Sequence, residues 1–246
     1  MKTLNSNRQK PSLVLKKYIN TYWEVTNKTN QSIQIPIVPD GCIDVISING
    51  EIFLVGLMEV ASVKIIEPND HYIGIRFNPS AIALLLEKDV SVFNNKIVRF
   101  DAIEAKLCKQ LHKIYSSNNN IFEKLDNLFK IYFIDKSLDN RIISIIKEIE
   151  LHSGNVSIEQ LCQNIDLSQK HLGRLFVSAV GITPKKFARV IRFYHTHRHL
   201  SHDGLSSLSS KVIELGYYDQ AHFNREYKML TGLNPSSALM SIFYNT

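Results

Sequence analysis

Only Asp166 and Leu167 separate two apolar-periodic stretches in VSIEQLCQNIDLSQKHLGRLFVSAVG, and that spacing constrains the fold more than any other feature of the chain. Ile158, Leu161, Cys162 and Ile165 mark the first stretch, and Leu172, Leu175 and Phe176 the second. So short a connection forces two helices to cross steeply, and aspartate tolerates the left-handed backbone that such turns use. Ser168 is placed to cap the second helix through its hydroxyl. With the apolar side turned inward, the outer face of that helix presents Gln169, Lys170, Gly173 and Arg174.

The pattern returns in LSSLSSKVIELGYYDQAHFNREYKMLTGLNP. Leu208, Val212 and Leu215 form one stripe, and Phe223, Tyr227 and Leu230 another. Gly216 supplies the turn between them, Asp219 the cap of the second helix, and Gly232 and Pro235 its end. The outer face then carries Gln220, Ala221, His222, Asn224 and Arg225. Between the copies, PKKFARVIRFYHTHRHL places Phe187, Val190, Ile191, Tyr194 and Leu200 at helical spacing, which predicts one long connecting helix.

Both outer faces are short, polar and cationic, so their side chains suit hydrogen bonding to base edges or pairing with phosphates. Two such helices on one chain suit successive major grooves, about 34 Å apart along a duplex. Charge agrees in sign. From Val156 onward there are 10 Lys and Arg against 6 Asp and Glu, which is four of the net +6.

The rest of the chain reads differently. Residues 33–77 contain IQIPIVP, CIDVISI, EIFLVGL, SVKII and YIGIRF, short β-prone runs broken by turn formers. ISINGEIFLV is the clearest hairpin, because Asn49-Gly50 accepts the positive φ of a type I′ turn. After Asn78-Pro79 the period becomes helical, with Ala81, Leu84, Leu85 and Lys88 following Pro79-Ser80. A helical hairpin is expected over 101–135, broken by SSNNN at 116–120. A further helix ends at His152-Ser153-Gly154-Asn155. The expected architecture is α+β: a sheet-rich amino-terminal domain, a small barrel or sandwich plus helices, over 1–135, and an all-α domain over 136–246.

With hydrophobic residues at 44% and only 10 Gly and 7 Pro, collagenous, low-complexity and wholly disordered classes are excluded. Cys42, Cys108 and Cys162 are too scattered for a disulfide framework or a zinc knuckle, which fits a reducing compartment. No signal-like or membrane-length apolar run occurs, so a cytoplasmic protein without membrane contact is expected. Neither GxGxxG nor GxxxxGK[ST] is present, and no nucleotide chemistry is indicated.

Three other groupings invite sharper readings. His195, His199 and His202 would share one helix face, as in a metal site, but only Asp203 joins them, and a solvated or phosphate-facing surface is the reading adopted. Asp40, Cys42 and Asp44 in PDGCID could suggest a nucleophile, but Pro-Asp-Gly is turn chemistry and the assigned role is structural. Trp23 and Arg76 are the residues singled out for a pocket. No catalytic residue, metal or cofactor is expected, and no ligand-binding residue is assigned.

GYYDQAHFNREYKMLTGLNPS resembles the signature of the AraC/XylS transcriptional regulators around their second helix-turn-helix unit. SQKHLGRLFVSAVGITPKKFARVIR resembles their first unit running into the linker helix. The resemblance implies base contacts from Lys170, Gly173 and Arg174 and from Gln220, Ala221, His222, Asn224 and Arg225, although Gly173 has no side chain to read with. Lys211 stands where the family usually has an apolar residue, Val212 where it has alanine, and Cys162 in a small buried slot also usually alanine. SLVLKKYINTYWEV, VPDGCIDVISI and GIRFNPSAIALLL resemble an amino-terminal domain of one branch of the family. The implied partners are double-stranded promoter DNA, a small-molecule effector, a second copy of the chain and RNA polymerase. The alternative is a small-molecule sensor or enzyme whose helical tail binds a protein instead of DNA.

Overall fold

The computed structural model describes residues 4–117, 119–203 and 211–235. Eight strands lie in the first hundred residues: β1 (Asn5–Gln9), β2 (Ile19–Thr26), β3 (Ile33–Ile37), β4 (Ile43–Ile48), β5 (Glu51–Val55), β6 (Ser62–Ile66), β7 (His71–Phe77) and β8 (Ile97–Arg99). Six of them form an antiparallel sheet in the order β1-β2-β7-β4-β5-β8, and β3 and β6 form a separate two-stranded ribbon. All five β-prone runs read from 33–77 are therefore strands. β4 and β5 form the expected hairpin, with Ile48 opposite Glu51 and both Asn49 and Gly50 at positive φ.

The strands β1, β2 and β8 extend the sheet beyond those runs. β1 is NSNRQ, exposed along its whole length and paired only with β2, so no apolar alternation marks it. Alternation elsewhere gives the sheet two faces. Tyr22, Ile75, Val45 and Leu54 lie in register across β2, β7, β4 and β5, and all are buried. One residue along, Trp23, Gly74, Ile46 and Phe53 form the opposite row.

Helices cover the first of these faces. α1 (Ala81–Leu86) starts after Ser80, which adopts φ 73° and makes no side-chain cap, and it ends at a left-handed Glu87, leaving Lys88 beyond it. α2 (Ala105–Tyr115) and α3 (Ile121–Tyr132) are the expected helical hairpin. α3 packs onto the sheet through aromatic contacts: Phe129 meets Phe77 edge-on at 5.5 Å, and Phe133 stacks on Tyr18 at 4.1 Å. The one charged group buried along this helix, Asp126, accepts from the Ser12 backbone N–H and the Tyr22 hydroxyl and pairs with Lys130.

α4 (Asn140–Leu151) ends where expected, with Ser153 and Gly154 both at positive φ. Among the described residues α5 (Ile158–Asn164), α6 (Gln169–Val180), α7 (Pro184–Asp203) and α8 (Gln220–Thr231) follow. One continuous buried cluster runs from Leu15 through the sheet, α3 and α4 to Ile191 of α7. Position 136 is not a gap in the packing: its carbonyl accepts from the Tyr18 hydroxyl, and its ammonium pairs with Glu87.

Candidate nucleic-acid interface

The first helix-turn-helix unit is α5 and α6. Asp166 takes the left-handed conformation at φ 51°, and Ser168 caps α6 by accepting from the His171 backbone N–H at 3.3 Å. Leu172 and Phe176 are fully buried, Leu175 is half-buried, and Cys162 is a core residue. Gln169, Lys170 and Arg174 are exposed on the opposite side of α6, with Gly173 half-buried between them. His171, outside the expected set, is exposed on the same end of the helix.

α7 is the expected long connection and carries aromatic contacts to α6 and to α8 (Gln220–Thr231). Phe187 meets Phe176 of α6 at 5.5 Å, and Phe193 meets Tyr227 of α8 at 5.3 Å. The buried stripe includes Phe193, while Tyr194 is only half-buried, because 3.6-residue periodicity leaves the rotation of a long helix uncertain by one position.

α8 is the second helix of the second unit. Asp219 caps it, accepting from the His222 backbone N–H at 2.6 Å, and Gly232 ends it at φ 73°. Gly216 sits at φ 86° in the preceding turn, and Val212 is buried. Leu208 lies outside the described residues. Phe223, Tyr227 and Leu230 face inward with Phe193 and Leu200 of α7. Gln220, Ala221, Asn224 and Arg225 are exposed, and Gln220 donates to the Asn224 side chain at 3.2 Å.

His222 differs from its neighbours. Its ring is half-buried edge-on to Tyr217, Nδ1 accepts from the Tyr218 backbone N–H at 3.2 Å, and Nε2 lies 3.4 Å from Glu226. Glu226 is itself buried and takes two bonds, at 2.8 and 2.9 Å, from one guanidinium nitrogen of Arg192 on α7. That guanidinium lies 5.1 Å over the Tyr217 ring, whose hydroxyl burial pushes up to about 12. A largely buried, aromatic-backed pair, in which one guanidinium nitrogen is shared between both carboxylate oxygens, thus ties α8 to the linker helix. Its partners are 34 positions apart in sequence, and no local pattern announces them.

The other groupings resolve in place. Asp40 and Asp44 both grip Arg76, at 2.7 and 3.1 Å, and Trp23 donates to Asp44 at 3.2 Å. Burial pushes the Cys42 thiol well up, which suits a structural residue better than a nucleophile. Burial also lowers His195 and His197, with Arg198 and His199 adding to the shift at His195. The His202 side chain lies outside the described residues. Among the described residues, no group of three or more His, Cys, Asp or Glu is placed to hold a metal ion, and no helix is long and apolar enough to cross a membrane.

Comparisons with known proteins fall on the same two regions. Residues 161–240 match a family model described as a helix-turn-helix domain, and residues 7–99 match one described as a domain of unknown function, DUF6597. The lactose operon transcription activator of Staphylococcus xylosus is 24% identical, the alignment covering 63% of this chain and 62% of that protein. An uncharacterized HTH-type transcriptional regulator of Haemophilus influenzae is 27% identical over 44% of this chain and 35% of its own length. The chain thus spans less than two thirds of either relative. A solved structure of ToxT from Vibrio cholerae aligns over 98% of both chains at 14% identity, with a TM-score of 0.43. The two capped units with their outward polar faces lie where the helix-turn-helix model matches or directly before it, and the strands of the sheet fall within or at the edge of the other matched region, so the chain joins a helix-turn-helix domain to this amino-terminal domain and is similar to transcription regulators.

Proposed function

We propose that the protein is a sequence-specific DNA-binding transcription regulator that reads two adjacent major-groove half-sites, one with α6 and one with α8. The observation that carries this is the exposure of both polar faces at once: Gln169, Lys170 and Arg174 on one helix, and Gln220, Ala221, Asn224 and Arg225 on the other, each behind a capped amino terminus. Arginines can donate bidentately to guanine, and Gln220 and Asn224 can pair with adenine edges. Gly173 offers close backbone approach instead of a side chain, and the half-buried His222 stands at the edge of the α8 face. The amino-terminal domain, residues 1–135, serves as the sensory or dimerisation module, and 136–246 as the DNA-binding module. A small effector, a second copy of the chain and RNA polymerase complete the proposed set of partners, and no catalytic step is assigned.

The test is selection of bound fragments from a fragmented genome by the full chain at moderate salt, followed by mobility shifts on the winners. A recurrent bipartite sequence, with an affinity that falls steeply as salt rises, is the expected result. Failure to enrich any sequence would favour the alternative, a sensor or enzyme whose helical tail binds protein.

A further inference from the structure

The carboxy-terminal ends of both recognition helices are bonded to a single piece of the amino-terminal half. α6 ends at Gly181, in the left-handed region at φ 98°, and the Gly181 carbonyl accepts from Asn94 Nδ2 at 2.6 Å. A Cβ at this position would come within 2.7 Å of the Asn94 side-chain oxygen, so another residue would strain the left-handed backbone and push the Asn94 side chain aside. In the last turn of α8, the Leu230 carbonyl accepts from the Ala61 backbone N–H at 2.6 Å. Carbonyls at helix ends have no partner within the helix, and here the other half of the chain supplies one for each.

The two donors belong to one bonded unit. The Asn95 N–H donates to Leu57 O at 2.9 Å, the Gly56 N–H to Lys96 O at 2.9 Å, and the Glu59 N–H to the Asn95 side chain at 2.7 Å. Glu59, whose side chain is 15% exposed, also pairs at 2.9 Å with Lys186 in the first turn of α7. Residues 56–61 and 90–96 therefore form a bracket that touches α6, α7 and α8 together. Ala61 is also part of the small core beneath α8, with Val38 packed against it, so the second unit is completed by residues from outside the carboxy-terminal half.

We infer that this bracket sets the orientation of the two recognition helices relative to each other, and with it the distance between half-sites that the chain accepts. Asn94, Glu59 and Ala61 are positioning residues on this view: they touch no DNA and act through the helices they hold. The inference rests on the two-half-site reading above. It assigns to the amino-terminal domain a part in DNA specificity that the linker helix alone would otherwise have to carry.

The test uses the full chain and duplexes in which the two selected half-sites are moved apart one base pair at a time. Wild type is expected to lose about tenfold or more in affinity when the spacing is displaced, because two linked contacts reinforce each other only where geometry lets both engage. Asn94→Ala combined with Glu59→Gln should flatten that dependence to about twofold, while affinity for a duplex carrying one half-site stays within about twofold of wild type. As a check against simple loss of folding, Glu59→Lys and Lys186→Glu should each flatten the profile, and their combination should restore it. The readout is a ratio between spacings, so any contact of Lys186 with phosphate cancels. An unchanged profile in folded bracket variants overturns the inference alone. A wild-type chain that selects no bipartite sequence overturns the two-half-site reading, and the bracket with it.

Discussion

The two helix-turn-helix units share a design but differ in what lies behind them. α6 is backed by the large buried cluster that runs through α4 and α7 into the sheet, so Phe176 and Val180 belong to the same core as Tyr22 and Phe77. α8 rests on a separate, smaller cluster of Phe193, Leu200, Val212, Tyr217, Phe223, Tyr227 and Leu230, with Ala61 added from the sheet region. The second unit compensates with polar attachments, the Arg192–Glu226 pair and the bond from the Ala61 backbone N–H to Leu230. A burial-held head and a polar-held head should fail differently. The first should unfold only with the whole protein, whereas the second can open by itself.

The largest effects test that division directly. Phe176→Ala and Phe223→Ala remove the same fully buried ring from the two heads, and each should cost about 3–5 kcal/mol. In hydrogen exchange, the first should lower protection across the sheet as well, and the second only in α8 and its neighbours. Equal loosening of the sheet by Phe223→Ala would break the comparison.

Arg192→Met leaves Glu226 buried without its guanidinium partner and should destabilise the second unit by about 3 kcal/mol, while Arg192→Met with Glu226→Leu should recover much of the loss. Local exchange in α8 reports both. Arg174→Ala and Arg225→Ala should each cost about 1–3 kcal/mol of DNA binding and relax discrimination in one half-site only, measured by binding to half-site variants. Uniform weakening on all sequences would mean phosphate contacts instead.

Smaller again are the caps. Ser168→Ala and Asp219→Ala should each cost about 1 kcal/mol, and the Asp219 change should be felt more in local exchange, because less packing holds its helix. The pH dependence is opposite to that of a histidine held charged by an ion pair. His195 and His197 on α7 are held below the ordinary histidine value by burial, so the unfolded chain takes up their protons first. Their contribution is fully present above about pH 6.5 and is lost as the pH falls toward the lowered folded values. Thermal melts from pH 7.5 to 5 should show this decline, and His195→Asn with His197→Phe should flatten it.

Much of this was legible from local chemistry. Asp166, Ser168, Asp219 and Gly232 announced both units because turns and caps depend on neighbouring residues, and the exposed sides of α6 and α8 followed from period alone. Asn49-Gly50 placed the β4–β5 hairpin for the same reason. What escaped depends on distant partners. β1 has no apolar face, and the pairing of β7 between β2 and β4 joins segments that no local pattern orders. His222 reads from sequence as one more polar residue of an outer face, and its contacts with Tyr217 and Glu226, which leave it half-buried, are not announced by any local pattern. Asn94 and Ala61 are unremarkable in sequence, because their importance lies in the carbonyls of Gly181 and Leu230.

Trp23 is the sole tryptophan of the chain, and it lies flat over Gly74, where a Cβ would sit 2.0 Å from its ring, while its indole nitrogen donates to the carboxylate that holds Arg76. Excited selectively at that indole, the protein would therefore emit from one address, on the face of the sheet opposite the helices and remote in sequence from both heads. Its colour and lifetime would report on the amino-terminal half without labelling, so an effector search could follow the native chain by light while a dye on the DNA reports the heads separately.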